Sequence, residues 1–413
     1  MSEAARRKTE LLETRTHATQ EILHSRPMKI LQTNFHLEWN GQVARVFLLS
    51  RELVQRGHSV VIAAPAASAL AARARAEGIP VFTRVRIKKT NRPISFFRDL
   101  VALGRLIRRE SFDCLHAHGS QDTWTLAWAR RLFRLKPPIL LTRHNTKRVR
   151  FHFGNRWLYR RGIQRVVVVS RAALENYRRF LNAGILAERD IPIIHSCIDV
   201  DRFAKPPRPE RVREELGVGK DIPLVGIIGR FSKDKGQLIL LEAIPQILEQ
   251  CPEAVFVFVG KQGSMAPVVR EIIRTKNLQR SVRLLGFRED MVDITAALDV
   301  SVLPATGTDS SPAVLKEAIL FGKPVVASRL GGIPEIISDE EGILVTPGDE
   351  RGLARAVITL LSDRDKGATK AKGKLAERFT PGFMCSAYLE VYQRMLMQGG
   401  EEGSFKRFNP RRD

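Results

Sequence analysis

Long apolar runs are missing from this chain. Nowhere in its 413 residues does a stretch approach the roughly 18 apolar residues that a membrane-spanning helix requires. Its apolar runs, such as 166–169, are of strand length. Cysteine is scarce too. The four that exist (Cys114, Cys197, Cys251 and Cys385) are widely spaced and form no CxxC pair. That excludes a disulfide framework and a zinc-ribbon spacing, and it fits a reducing compartment. The nine histidines show no HExxH or other zinc spacing. The first residues lack a secretory apolar core, because Arg6, Arg7 and Lys8 lead into the mixed segment 9–24. We therefore expect a cytoplasmic protein with no resident metal.

Acidic residues are in short supply in one half only. Residues 1–200 hold 36 Lys and Arg against 15 Asp and Glu, net +21; residues 201–413 hold 32 against 29, net +3. The sequence pI near 10.5 thus describes the first half. Such a field concentrates anionic partners, whether nucleic acid, lipid headgroup or phosphorylated substrate, and by itself does not choose among them.

What the chain does have is alternation. Apolar runs at 60–64, 81–83, 114–117, 139–142, 166–169 and 191–194 are separated by helical stretches such as 42–56 and 120–135, and a first strand starts at Met28. The pattern breaks at 199–209, where Lys205-Pro206-Pro207-Arg208-Pro209 can continue neither element. It restarts at 224–229 and runs through 254–260, 282–286, 300–303, 324–327 and 343–345. Continuous apolar strands joined by amphipathic helices predict parallel sheets covered on both faces. The expected fold class is α/β, with two Rossmann-like parallel-sheet domains facing a central cleft. The expected divisions are a disordered extension (1–27, with Met28 as a second candidate start), a strongly basic N-terminal domain (28–198) and a C-terminal domain (199–380). A helix (381–398) packs back towards the first domain, and a disordered tail (399–413) follows.

Ligands of parallel α/β sheets sit beyond the carboxyl ends of the strands. After 224–229 comes Arg230-Phe231-Ser232-Lys233-Asp234-Lys235-Gly236, where Gly229 and Gly236 admit a ligand and Arg230 and Lys235 supply two cations. Fixed cations there suit a diphosphate that becomes a leaving group; the same residues also read as two solvated cations in a polar turn. After 300–303 comes Asp309-Ser310-Ser311-Pro312-Ala313-Val314-Leu315-Lys316-Glu317. Pro312 suits a first helical turn, which leaves the amides near Ala313 and Val314 for an anion. Asp309 and Glu317 could grip hydroxyls at two ends of a nucleotide sugar, or could be a helix cap and a surface acid.

These segments, with Gly322-Lys323-Pro324-Val325-Val326 and Gly331-Gly332-Ile333-Pro334-Glu335 following in register, resemble the C-terminal domain of the family-four, retaining, GT-B glycosyltransferases. The resemblance extends more loosely from Met28 to about residue 396. It implies that Arg230 and Lys235 bind the donor diphosphate and stabilise its departure, and that Asp309 holds donor-sugar hydroxyls and Glu317 the ribose. Gly229, Ser310, Ser311, Ala313 and Val314 would complete the donor site. In the first half, Cys114-Leu115-His116-Ala117-His118-Gly119 resembles the family's strand-end histidine motif and puts His118 by the reacting sugar. The loop with Gly41 and Gln42 would approach the diphosphate, and Arg143 and His144 would lie on the acceptor side. Three departures stand out: Asp309-Ser310 where Glu-Gly is usual, Gly41-Gln42 where Gly-Gly is common, and Ser196-Cys197-Ile198-Asp199 where Asn-Gly-Val-Asp is common.

Basic, aromatic segments at 84–98 and 143–161 suit an anionic surface, with cations meeting headgroups and rings at the boundary. The expectation is a glycosyl (EC 2.4) transferase using a nucleoside-diphosphate sugar and no cofactor. Its acceptor would be a lipid-linked, lipopolysaccharide or other cell-envelope glycan, and it would sit peripherally on the inner face of the cytoplasmic membrane. A GT-B epimerase or phosphorylase would share the phosphate grip, and a nucleic-acid-binding protein would explain the charge but not the ordered motifs.

Overall fold

A computed structural model describes residues 26–86, 93–307, 309–338, 340–362 and 378–401. The expected disordered extension and tail lie almost wholly outside these residues. Two six-stranded parallel sheets organise the rest. The first contains β1 (Lys29–Thr33), β2 (Ser59–Ala63), β3 (Val81–Phe82), β4 (Cys114–Ala117), β5 (Ile139–Arg143) and β6 (Arg165–Val168), in the order β3-β2-β1-β4-β5-β6. The second contains β7 (Leu224–Ile228), β8 (Val255–Val259), β9 (Val282–Leu285), β10 (Val300–Leu303), β11 (Val325–Ser328) and β12 (Gly342–Val345), in the order β12-β11-β10-β7-β8-β9. Each order reverses once beside its first strand, the arrangement that opens a ligand crevice at the carboxyl ends.

The strands form because both their faces are covered. β7 (LVGII) and β8 (VFVFV) are buried at every position, as a parallel strand between two helical layers requires. Helix α1 (Gly41–Gln55) starts where the side chain of Asn40 accepts from the amides of Gln42 and Val43, and it buries Val43, Val46, Phe47, Leu49 and Leu53. Helices α2 (Ala69–Ala76), α3 (Pro93–Glu110), α4 (Ser120–Leu132) and α5 (Phe153–Trp157) follow in the first half. In the second, α6 (Gln237–Gln250) covers β7 and β8 through Leu240, Ile244 and Ile247. It carries Pro245 at an exposed position. Helices α7 (Ala266–Thr275), α8 (Ala313–Leu320), α9 (Glu350–Ser362) and α10 (Pro381–Glu401) follow.

The expected strand at 191–194 does not form. It is reduced to a single bridge, Val168 to Ile193, because Pro192 has no N–H to give to a ladder. The compact units also differ from the expected division at 198/199. Among the described residues, one comprises those of 26–142, 152–166 and 385–401; the other comprises those of 143–151 and 167–384. Residues 167–198 join the second unit through specific bonds. The Lys316 ammonium, 1% exposed, donates to the Ser196 carbonyl at 2.5 Å and to Ser311 Oγ at 2.7 Å. The Arg171 amide donates to Glu335 Oε1 at 2.7 Å, and the Ile198 amide to the Phe379 carbonyl at 2.9 Å.

Candidate active site

In the second unit the site is built at the ends of β7 and β10, which are neighbours in the sheet. The loop after β7 closes in a 3₁₀ turn, Lys233–Lys235, that ends on Gly236 with φ +77°. A Cβ there would lie 1.8 Å from the Pro304 carbonyl oxygen, so only glycine lets this loop touch the one after β10. The amides of Thr306 and Gly307 then both donate to the Asp234 carbonyl at 3.2 Å. The consequence is an ion pair between residues far apart in sequence: Lys235 Nζ lies 2.5 Å from Asp309 Oδ2, with each side chain about a quarter exposed. Asp309 is held from behind as well. Its carbonyl accepts from the Gly332 amide at 2.8 Å, and a Cβ on Gly331 (φ +61°) would stand 2.3 Å from that oxygen.

Around this pair the expected residues divide. Gly229 and Arg230 share the Lys235 loop, with the Arg230 side chain exposed and its carbonyl accepting from Gln237 Nε2 at 3.0 Å. Asp309 does not cap α8; Pro312 occupies the cap position, and no side chain covers the first amides of the helix, including those of Ala313 and Val314. Ser310 and Ser311 are buried, and the hydroxyl of Ser311 is taken by Lys316. Glu317 lies one turn into α8, and the cation that faces it is Arg202 at 3.9 Å, from the 3₁₀ turn Val200–Phe203. Burial pushes the Glu317 carboxyl up, and Arg202 pulls it back.

The first unit builds a different kind of site at the ends of β1 and β4. His118, the residue after β4, is buried, and its Nε2–H donates to Gln32 Oε1 at 2.7 Å. Burial holds its pKa down at about 3, so the ring is neutral at physiological pH. The His118 amide donates to Asp122 Oδ2 at 2.8 Å, and the Thr33 hydroxyl donates to the same oxygen at 2.9 Å. Burial outweighs these bonds and lifts the Asp122 carboxyl to about 7. The Gln42 amide group donates to the His118 carbonyl at 2.6 Å. At Gly41 a Cβ would meet only Arg45 Nη2, at an ordinary 3.6 Å, so no packing within the protein demands glycine there. Beneath His118, at a ring separation of 4.0 Å, His116 shares hydrogen bonds with Tyr392 through Nδ1 and Thr142 through Nε2, both at 2.7 Å. Thr142 in turn meets the Tyr388 hydroxyl at 3.0 Å.

Arg143 and His144 lie at the end of β5 and just past it, in the stretch 143–151 that clusters with the second unit; Arg143 Nη2 donates to the Lys147 carbonyl at 3.1 Å. Several residues of these sites were not foreseen. Gln32 and Asn34 are fully buried on and after β1, and their Nε2 and Nδ2 groups have no hydrogen-bond partner. The Asn34 orientation is set by chemistry, since its Oδ1 accepts from the His36 amide at 2.9 Å. The signal was available: both are polar residues at the end of an apolar strand. Lys316, a lone cation inside Ala-Val-Leu-Lys-Glu-Ala, was equally visible, whereas nothing in the sequence pairs Arg202 with Glu317. Of the aromatics expected at an anionic surface, Tyr159 is buried in the core, and the partly buried Phe151 packs edge-on to the core residue Phe180 at 4.9 Å. Part of the segment 84–98 lies outside the described residues. Among the described residues no cluster of three or more His, Cys, Asp or Glu gathers, and no helix is long and apolar enough to cross a membrane.

Two family models match the chain. Residues 39–202 match "Glycosyltransferase Family 4", and residues 222–363 match "Glycosyl transferases group 1". An Escherichia coli UDP-Gal:alpha-D-GlcNAc-diphosphoundecaprenol alpha-1,3-galactosyltransferase is 26% identical over 285 residues, covering 66% of this chain and 73% of that protein. A D-inositol 3-phosphate glycosyltransferase from Corynebacterium urealyticum is 30% identical over 232 residues, 52% of this chain and only 54% of that protein. Among solved structures, a Rickettsia africae glycosyltransferase superposes with a TM-score of 0.79 at 20% identity, covering 90% of this chain and 99% of the other. Anabaena HepE in complex with UDP gives 0.75 at 24% identity, with 89% and 100% covered.

Proposed function

The chain belongs to the family-four glycosyltransferases of GT-B fold, and from that premise we propose that it moves a sugar from a nucleoside-diphosphate donor to a hydroxyl of a lipid-linked acceptor, with retention of anomeric configuration. The observation that carries this reading is the Lys235–Asp309 pair at the ends of β7 and β10. It is a cation and a carboxylate held ready at one point, with the open amides of α8 close by in sequence. A diphosphate entering there competes for the Lys235 ammonium, and Asp309 is released to accept from a sugar hydroxyl. Lys235, Arg230 and the α8 amides then draw charge onto the departing phosphate, which is where preorganised donors lower a barrier most. A phosphate oxygen takes the acceptor proton on the face the leaving group vacates, so the step needs no separate base from the protein. The E. coli relative's diphosphoundecaprenol substrate supports a lipid-linked acceptor, and HepE's UDP supports a nucleotide donor.

The test starts with UDP-, GDP- and ADP-sugars as thermal-shift ligands, since a donor that binds only the folded chain raises its melting temperature. The stabilising donor is then supplied with diphosphoundecaprenol-linked GlcNAc, and the product anomer is read by NMR. Retained configuration is the expected result. An inverted product, or stabilisation by no nucleotide sugar, overturns the reading.

A further inference from the structure

One face of the first unit belongs neither to its core nor to its site. Helix α4 carries Trp124, Trp128 and Leu132 at i, i+4 and i+8, which places them along one stripe. Trp128 is 43% exposed and Leu132 is 57% exposed. Trp157 of α5 stacks against both tryptophans, with ring centroids 5.2 Å from Trp128 and 6.0 Å from Trp124. One turn before it, Phe153 is 83% exposed. Large apolar side chains clustered in water mark an interaction surface.

The charge around them has one sign. Segments 120–136 and 152–165 contain eight Lys and Arg and a single acid, Asp122, which is buried. Arg131, Arg134, Lys136, Arg160 and Arg161 are all exposed. An apolar cluster ringed by cations complements a surface that is anionic outside and apolar just beneath. Nucleic acid fits it less well, because Leu132 has no face on which a base can stack and the indole rings are stacked on one another.

We propose that this face docks on an anionic bilayer, with Leu132, Trp128 and Phe153 entering the boundary between headgroups and acyl chains and the flanking cations meeting the headgroups. The inference deepens the proposed function by naming the partner of the first unit. It rests on that reading only for its purpose, which is to hold the protein in the plane where a lipid-linked acceptor lies.

The experiment uses the full chain carrying Trp39→Phe. Since the sequence has four tryptophans, the remaining three all lie in this patch. Vesicles of phosphatidylcholine and phosphatidylglycerol at equal ratio, with brominated acyl chains, should quench its fluorescence. Adding Leu132→Ser and Phe153→Ser, both at exposed positions, should weaken partitioning by roughly tenfold or more. Arg131→Glu with Arg160→Glu should weaken it by a similar factor and remove most of its salt dependence. Ile94→Ser with Phe97→Ser, exposed apolar positions on α3, should leave it unchanged. The proposal is overturned by vesicle binding without quenching, by loss of binding in the α3 pair instead, or by RNA binding in place of vesicle binding. Donor-induced thermal shift, read without vesicles, reports separately on the enzymatic reading, so the two can fail independently.

Discussion

The two units use opposite electrostatic strategies at their strand ends. In the second, near-neutral half of the sequence, the site is a partly buried pairing of charged groups, Lys235 with Asp309 and Arg202 with Glu317. In the first, strongly basic half, it is a buried network without a formal charge pair: His118 on Gln32, His116 on Tyr392 and Thr142, and Asp122 beneath two donors. Part of the surplus positive charge lies outside this network, at the exposed Arg131, Arg134, Lys136, Arg160 and Arg161 around α4 and α5. A paired charge can change partners when a charged ligand arrives. A buried neutral network cannot do so cheaply, because each unmade bond costs the full desolvation of its group. The second unit is therefore built to respond to a ligand, and the first to hold its groups in one geometry.

Removing one charge from the responsive site gives the largest expected effect. Lys235→Ala should lower turnover by about 10²–10³, the usual consequence of losing one preorganised charge partner, or about 3–4 kcal/mol in the barrier. The fold should survive, since the side chain is partly exposed and the loop is held by backbone bonds from Thr306 and Gly307. Near-normal steady-state turnover with the stabilising donor would falsify the assignment of the leaving-group role. Asp309→Asn should instead raise KM for the donor, because it keeps the shape but gives up the negative charge and replaces one of the two acceptor oxygens with an NH2 donor.

The neutral network should reveal itself through pH. His118 has its pKa depressed from 6.5 to about 3, so its contribution to stability is present above 6.5 and is lost as pH falls towards 3. Asp122 has its pKa raised from 3.8 to about 7, so its contribution is present below 3.8 and is lost as pH rises towards 7. Between about 4 and 6.5 the two slopes oppose each other. In urea unfolding across that window, Asp122→Asn should remove the falling slope and leave the curve rising more steeply with pH than in the parent. An unchanged slope would mean that Asp122 is ionised in the folded state.

The contrast also explains what could be read from sequence. Strand positions were legible because continuous apolar runs between helices leave few alternatives, and only 191–194 misled, through Pro192. The second site was legible because charged residues after a strand are conspicuous and its spacing resembles a known family. The first was only half legible. His118 stood out, but Gln32, Asn34, Tyr388 and Tyr392 gain their meaning from burial, and no local pattern connects a tyrosine on α10 with a histidine 276 positions earlier on β4. Arg202 was hidden for the same reason, because its carboxylate partner lies on a helix far along the chain.

The smallest effects should come from the tyrosines, and they grade the neutral network from the inside. Tyr392→Phe takes the phenol away from a fully buried histidine nitrogen and should cost about 1–3 kcal/mol, the range for orphaning a buried polar group. Tyr388→Phe removes a longer bond to Thr142, whose hydroxyl keeps its contact with His116, so about 0.5–1.5 kcal/mol is expected. The double variant should cost less than the sum of the two, because both bonds feed one chain through Thr142 and His116. Chemical denaturation of the four proteins measures this coupling directly. Strict additivity would show that the two phenols act as independent pegs for α10, and the contrast with the charge-paired second site would then rest on His118 and Asp122 alone.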